Sequence, residues 1–264
     1  MKNILRSTLL FAIGIMILSC EEEVTPPQIE DAEDRIVVNG LIAPSFEQIN
    51  VEVSKSRKAF GIIDFNNSDI IQNATVTISN GTEERSLTFD GQHYSLSTTS
   101  YPIEEGVTYR ITVTALGETV YGETTVPSAI PTLESAKFID DFNIEVIWMD
   151  LVDQKNYYRV VANVDNDEEY SDPFFFGNDE FVSDFNRDGQ LLSASGEGYI
   201  YGNSFDRAKV RIISSDQYYY DYYEVLVNYE GEDPFADPER LPSNIEGGLG
   251  IFSSIQVSEF VIER

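Results

Sequence analysis

Cysteine, histidine and positive charge are all scarce in this chain. A single thiol, Cys20, excludes any internal disulfide framework among its 264 residues. One imidazole, His93, beside that one thiol leaves too few soft ligands for a zinc site, which draws on several thiolates or imidazoles. Lys and Arg number 17 against 46 Asp and Glu, a formal charge of −29. That charge excludes nucleic acid and acidic lipid surfaces as partners reached by simple electrostatics. A run apolar enough to span a bilayer is missing too: Leu9–Leu18 has ten residues where a helix needs about 20. What is present is 42% hydrophobic residues, enough for the core of one or two domains.

The N-terminus has the layout of an export signal, with Lys2 and Arg6 ahead of the apolar run and small Ser19 at its end. Ile17-Leu18-Ser19-Cys20 resembles the lipobox of bacterial lipoproteins. The resemblance implies a diacylglyceryl group on the Cys20 thiol, cleavage after Ser19 and acylation of the freed amine. Two or three acyl chains, at about 0.8 kcal/mol per buried methylene, hold a protein on a membrane where one chain would not. Loss of residues 1–19 removes Lys2 and Arg6, which takes the formal charge to −31. A mature chain without a free thiol suits an oxidising exterior.

Residues 20–34 read as an acidic, proline-stiffened tether. Its first residues after the cysteine, Glu21, Glu22 and Glu23, resemble the surface-export signal of Bacteroidota lipoproteins, which implies an outer-membrane protein facing the cell exterior.

From Arg35 the chain alternates apolar and polar residues in short runs, the pattern of half-buried strands. Val107–Thr114 is the clearest, with Val107, Tyr109, Ile111 and Val113 on one face. Asn80-Gly81, Asp90-Gly91 and Leu116-Gly117 fall between successive runs, where tight hairpins form. Seven such runs predict an immunoglobulin-like β-sandwich over 35–127. Pro127 and Pro131 mark a boundary. Residues 132–264 then predict a second β-rich domain with strands at Ser135–Ile139, Asn143–Met149, Tyr157–Val164 and Arg207–Ser214. The fold class is therefore mainly β, two sandwich-like domains. Within the second, Tyr219, Tyr222, Tyr223 and Leu226 recur at helical spacing, which predicts one amphipathic helix at 216–229, capped by Ser214 with Gln217. Its tyrosines are expected to pack on the sheet rather than offer a platform for sugars.

Ile36-Val-Val-Asn-Gly40, Asn156-Tyr-Tyr-Arg-Val160, the tyrosine run and Asn244–Phe252, taken in order, resemble a family. It is the Bacteroidota lipoprotein family catalogued as domain of unknown function 4249. The resemblance implies a cell-envelope lipoprotein associated with TonB-dependent outer-membrane transporters, and supplies no catalytic residues. Gly247, Gly248 and Gly250 in that last segment lack a following helix and basic neighbours, so backbone geometry is expected of them rather than phosphate binding.

Few motifs carry chemistry. Asp184-Phe-Asn186-Arg-Asp188-Gly189 begins like an EF-hand calcium loop, but its twelfth position is Ser195 instead of Glu. A turn is the expected reading, without a metal. Asp165–Glu169 reads as a solvated acidic loop. His93 lies beside a predicted hairpin and no G-x-S-x-G elbow accompanies it, which speaks against a serine triad. Phe174-Phe175-Phe176 predicts an edge strand with alternate rings buried and exposed, or a docking patch. The resulting expectation is a non-enzymatic, surface-exposed lipoprotein without cofactor, held to the membrane through Cys20, that binds a ligand or serves a TonB-dependent transporter. The alternatives are a free-standing glycan-binding or adhesive module and, more weakly, a carboxylate-dependent glycoside hydrolase.

Overall fold

The computed structural model describes residues 34–56, 69–165, 174–198, 206–229 and 241–264. Cys20, Glu21, Glu22 and Glu23 lie outside the described residues, as do positions 166–169 of the second acidic loop.

The first half supplies β1 (Ile36–Ile42), β2 (Gln48–Lys55), β3 (Thr75–Ser79), β4 (Glu84–Ser86), β5 (Thr88–Phe89), β6 (Tyr94–Ser97), β7 (Thr108–Ala115) and β8 (Glu118–Thr125). The second half supplies β9 (Thr132–Phe138), β10 (Asn143–Met149), β11 (Tyr157–Val164), β12 (Phe174–Phe175), β13 (Phe181–Ser183), β14 (Leu191–Gly198), β15 (Arg207–Ser215), the helix α1 (Gln217–Val227) and β16 (Leu249–Glu263). The fold is mainly β, as expected.

Three sheets build two sandwiches. An eight-stranded sheet runs β13-β11-β15-β16-β1-β2-β6-β5, and two four-stranded sheets, β4-β3-β7-β8 and β12-β14-β10-β9, cover its two halves. Period-two burial explains the layers: β1 buries Ile36, Val38 and Ile42, and β7 buries Tyr109, Ile111 and Val113, all in one core. The second core packs Ile144, Val146 and Trp148 of β10 against Tyr158, Val160 and Ala162 of β11. Trp148 is fully buried and meets Tyr158 edge-on at 5.6 Å between ring centres.

The boundary at Pro127–Pro131 does separate β8 from β9, but the division into 35–127 and 132–264 does not describe the pairing. The C-terminal strand β16 belongs to both sandwiches. Its first residues pair in parallel with β1, from Val37 opposite Leu249 to Ile42 opposite Ser254. The remainder pairs antiparallel with β15, from Ser215 opposite Ile255 to Arg207 opposite Glu263. Asp34–Arg264 is accordingly one compact unit.

The Asn244–Phe252 segment makes this sharing possible, and its role is structural. The Asn244 amide donates to the Phe252 carbonyl at 2.7 Å and accepts from its N–H at 2.9 Å, standing in for a missing neighbour strand. It also donates to the Glu123 carbonyl of β8 at 3.0 Å, which closes the first sandwich. Gly250 has φ +98°, and a Cβ there would lie 2.2 Å from the Val38 carbonyl oxygen. A side chain is excluded twice over, by conformation and by space.

Helix α1 lies on the opposite face of the large sheet. Its N-cap is Asp216, which accepts from the Tyr219 N–H at 2.7 Å; the predicted Ser214–Gln217 capping box does not form. Ser214 is instead still in β15, opposite Tyr158 and Gln256. Tyr219 and Tyr223 pack on Ala43, Ile213 and Ile255, whereas Leu226, expected on the same face, is 47% exposed. Arg159 ties helix to sheet: it pairs with Glu180 at 2.6 Å, donates to the Tyr219 hydroxyl at 3.2 Å and lies over the Phe181 and Tyr223 rings.

Candidate functional site

The loop between β13 and β14 holds the calcium-like sequence in a tight turn. Arg187 N–H donates to the Asp184 carbonyl at 2.6 Å, Gln190 N–H to the Arg187 carbonyl at 3.0 Å, and Asn186 takes φ +60°. Asn tolerates that left-handed conformation better than most residues, as the turn reading required. The structure adds a residue that spacing did not indicate. Asp150, just after β10, joins Asp184 and Asp188 so that one carboxylate oxygen from each lies within 4.8 Å of the others.

The three carboxylates are unequal. Asp150 is 3% exposed and both its oxygens are engaged, Oδ1 by the Tyr158 hydroxyl at 2.8 Å and Oδ2 by the Gly189 N–H at 2.9 Å. Burial, more than the bonded Asp150, pushes the Tyr158 phenol far up. Asp188 accepts from the Asp153 N–H at 3.0 Å. Asp184 is pushed above the usual carboxylate range, by burial first and then by the charges of Asp150 and Asp188, against the N–H of Asn156 that favours its ionised form. Such a trio can hold a hard divalent cation, but three carboxylates fall well short of the roughly six to eight oxygens calcium gathers. Ser195, the twelfth loop position, lies in β14 and donates its N–H to Asp179 instead. Asp150 itself has no oxygen left for acid or base work, because both are engaged by hydrogen bonds.

Beside the trio is a cavity of about 450 Å³ bounded by Ser183, Asp184, Asp188 and the ring of Phe185, which is 77% exposed. A second cavity of about 330 Å³ sits at the waist between the sandwiches, against Val126–Ser128 and Ser214–Gln217. Gln154, Lys155 and Tyr157 line both.

The waist is polar where the two cores meet. Asp216 binds three elements at once: it caps α1, accepts from the Ser254 N–H of β16 at 3.3 Å and accepts from the hydroxyl of Thr124 in β8. The Thr124 and Ser254 hydroxyls share a hydrogen bond at 2.7 Å, and the Gln256 amide donates to the Pro127 carbonyl. Burial pushes Asp216 up to about 6, against the hydrogen bonds from Thr124, Tyr219 and Ser254 that favour its charge. Ser214, 4% exposed, has no hydrogen-bond partner for its hydroxyl among the described residues. Sequence reasoning did not single out Asp150 or Asp216. Asp216 was legible as one of several polar residues ahead of a helical pattern; Asp150 gave no local signal.

The other expected residues are placed as follows. His93 closes the Asp90 turn, its N–H donating to Asp90 Oδ1 at 2.9 Å. Phe174 and Phe176 are buried in the second core while Phe175 is 73% exposed, the alternation an edge strand requires. Asp165 pairs with Arg207 at 2.9 Å.

The tandem of mainly β sandwiches, with one α-helix among the described residues and a shared last strand, defines the class of protein. The chain belongs to the family described as "Domain of unknown function (DUF4249)", which matches residues 21–260. No curated protein matches it. Among solved structures it is similar to one described as "Crystal structure of chicken CNTN1 FN1-FN3 domains". That likeness is at 12% identity and a TM-score of 0.29, over 87% of this chain and 67% of the other.

Proposed function

We propose that the protein is a lipid-anchored, outward-facing lipoprotein of a bacterial outer membrane that works as a non-enzymatic binding or accessory subunit of a TonB-dependent transporter. The observation that carries this reading is the position of the only cysteine. Cys20 closes a short apolar run as Ile-Leu-Ser-Cys, and the family match begins at the very next residue, 21. A family match that starts just after Cys20 supports a boundary between signal and mature domain at that cysteine. Glu21, Glu22 and Glu23 support the outward orientation, and an acidic tether keeps the sandwiches clear of acidic headgroups. A binding role is supported over catalysis because His93 is held in a turn and Asp150 is buried with both oxygens bonded.

The test is a tagged pull-down from native outer membranes in mild detergent, read by mass spectrometry. Stoichiometric recovery of a TonB-dependent transporter, lost with Cys20→Ser, is the expected result. Recovery of the lipidated chain alone removes the transporter from the proposal and leaves a free-standing binding module, which the two adjoining cavities favour. Retention of membrane attachment by Cys20→Ser overturns the lipid anchor itself.

A further inference from the structure

We infer that the unpaired edge of β16, from Val257 to Glu263, is a docking site for an extended, basic segment of a partner protein, which joins the large sheet there as a further strand. The inference deepens the reading of the chain as a subunit that binds a partner protein, and rests on it.

The edge follows from the hydrogen-bond phase of β15 and β16. Asp165 N–H donates to the Arg207 carbonyl, so the odd residues of β15 turn their backbone groups toward β11 and the even ones toward β16. Arg264 N–H donates to the Asp206 carbonyl at 3.0 Å, and in the same register Ser258, Phe260 and Ile262 meet Ile212, Val210 and Ala208. The N–H and C=O groups of Val257, Glu259, Val261 and Glu263 therefore point the other way. On that side β1 is the neighbour of the first part of β16, and its pairing ends at Ile42 opposite Ser254. Among the described residues no strand continues it, and those backbone groups have no partner.

Native sheets blunt an open edge with short strands, prolines or bulges. The outermost strands of the large sheet are blunted in this way, β13 to three residues and β5 to two. Val257–Glu263 has no proline, no glycine and no shift of register. The core behind it is open as well. β9, the outer strand of the covering sheet, lies against β16, and Leu133, Ala136 and Phe138 of β9 with Phe260 of β16 are only partly buried on the second core.

Backbone donors and acceptors repeating at strand spacing are matched by another backbone, which makes the occupant a polypeptide. Charge selects which one. Glu259 and Glu263 pair with Arg211 at 2.7 Å and Arg207 at 3.4 Å, yet their side chains stay 46% and 71% exposed. A second copy would bring the same glutamates to the same face, and a formal charge of −29 against its like. A strand that carries Lys or Arg on the outer face meets carboxylates instead. Its alternate residues, apolar, cover Phe260 and the hydrophobic residues of β9.

The experiment uses the full chain purified in detergent and a blocked peptide, Lys-Val-Lys-Val-Lys-Val-Lys. Saturable, salt-sensitive binding is expected, weakened about tenfold when glutamate replaces the lysines or when alternate peptide N–H groups are methylated. In the complex the amides of Val257, Glu259, Val261 and Glu263 should exchange hydrogen about tenfold more slowly, while those of Ser258, Phe260 and Ile262, held by β15, change little. Val261→Pro removes one outward N–H and spares the β15 ladder, so affinity should fall about tenfold with the melting temperature nearly unchanged. If that variant fails to fold, Val261→Lys, at a position 46% exposed, sets a like charge against the peptide and should weaken it about threefold. No binding, binding without slowed exchange at those four amides, or equal binding of the methylated or glutamate peptide each overturns the inference. Protection of the same amides by protein concentration alone, with a dimer in sedimentation, gives the edge to a second copy and overturns it too. A transporter recovered equally by wild type and Val261→Pro rejects the edge and spares the partner; peptide protection of the edge without a recovered transporter does the reverse.

Discussion

Replacing Asp216 with Asn removes a carboxyl group whose ionisation the folded waist opposes. Burial raises the group from 3.8 to about 6, despite the hydrogen bonds from Thr124, Tyr219 and Ser254. The sign follows from linkage: below about 4 the carboxyl is protonated in both states, between the two values only the folded chain holds the proton, and above about 6 both states are charged. The folded state therefore loses stability as pH rises through that window. A difference of about two pKa units corresponds to about 3 kcal/mol. Denaturant unfolding of wild type and Asp216→Asn between pH 4 and pH 7.5 measures it as the difference between the two curves. Other carboxylates, Asp90 and Asp140 with their lowered values included, cancel in that difference. The variant keeps a competent N-cap residue, so α1 still forms. Relative to wild type it should gain about 3 kcal/mol over that pH range, whatever constant offset its amide introduces against Thr124. Parallel curves for the two proteins would refute the burial argument, and a difference of opposite sign would mean that the bonds outweigh desolvation.

Further expectations concern the shared strand, the cores and the acidic trio. Gly250→Ala should cost roughly 4 kcal/mol or abolish folding, because its Cβ meets the Val38 carbonyl at a left-handed φ; a soluble variant with unchanged melting temperature would contradict this. Asn244→Ala should cost about 2–3 kcal/mol in denaturant unfolding by stranding the Phe252 N–H and C=O, and a loss under half a kcal/mol would show that water replaces the side chain. Trp148→Ala should cost about 3–5 kcal/mol, and near-ultraviolet dichroism should then show loss of the one buried indole signal. Calcium should raise the melting temperature only slightly, with a midpoint in the range of about 0.1–1 mM, and Asp184→Asn should abolish the rise; saturation at micromolar calcium would mean that ligands beyond the three carboxylates complete the site.

The sequence pattern specified single strands far better than it specified their neighbours. Alternation located β1, β7 and β10 nearly to the residue, because each buries one face against one core. It missed β14, whose inward positions are Leu192, Ala194, Gly196 and Gly198: two of the four are glycine, so the apolar signal fades where Phe176 needs room. The run Arg85–Phe89 looks like one strand but is two. At buried Leu87 the chain leaves β3 for the opposite sheet and β6, a change of partner that alternation does not record.

The same limit explains the candidate site. Asp184 and Asp188 were legible as a motif because they are local, whereas Asp150 reaches them only because β10 and β14 are paired, Met149 opposite Leu191. Asp216 is a stronger case. Its burial requires β16 to separate from β15 and turn toward β1 at Ile255, which leaves Ser254 N–H to be bonded by a side chain rather than a strand. No run of adjacent residues encodes that parting. It is encoded jointly by Asn244, which replaces the absent ladder at Phe252, and by Gly250, which lets β16 approach β1. Asn244–Phe252, one of the four segments that carry the family resemblance, therefore helps fuse the two sandwiches, and the waist cavity lies where they meet. A substitution at Asn244 should loosen the Ser254–Asp216 contact as well as the first sandwich, so Asn244→Ala and Asp216→Asn should be non-additive in a double-mutant cycle. Strict additivity would separate the family segment from the waist.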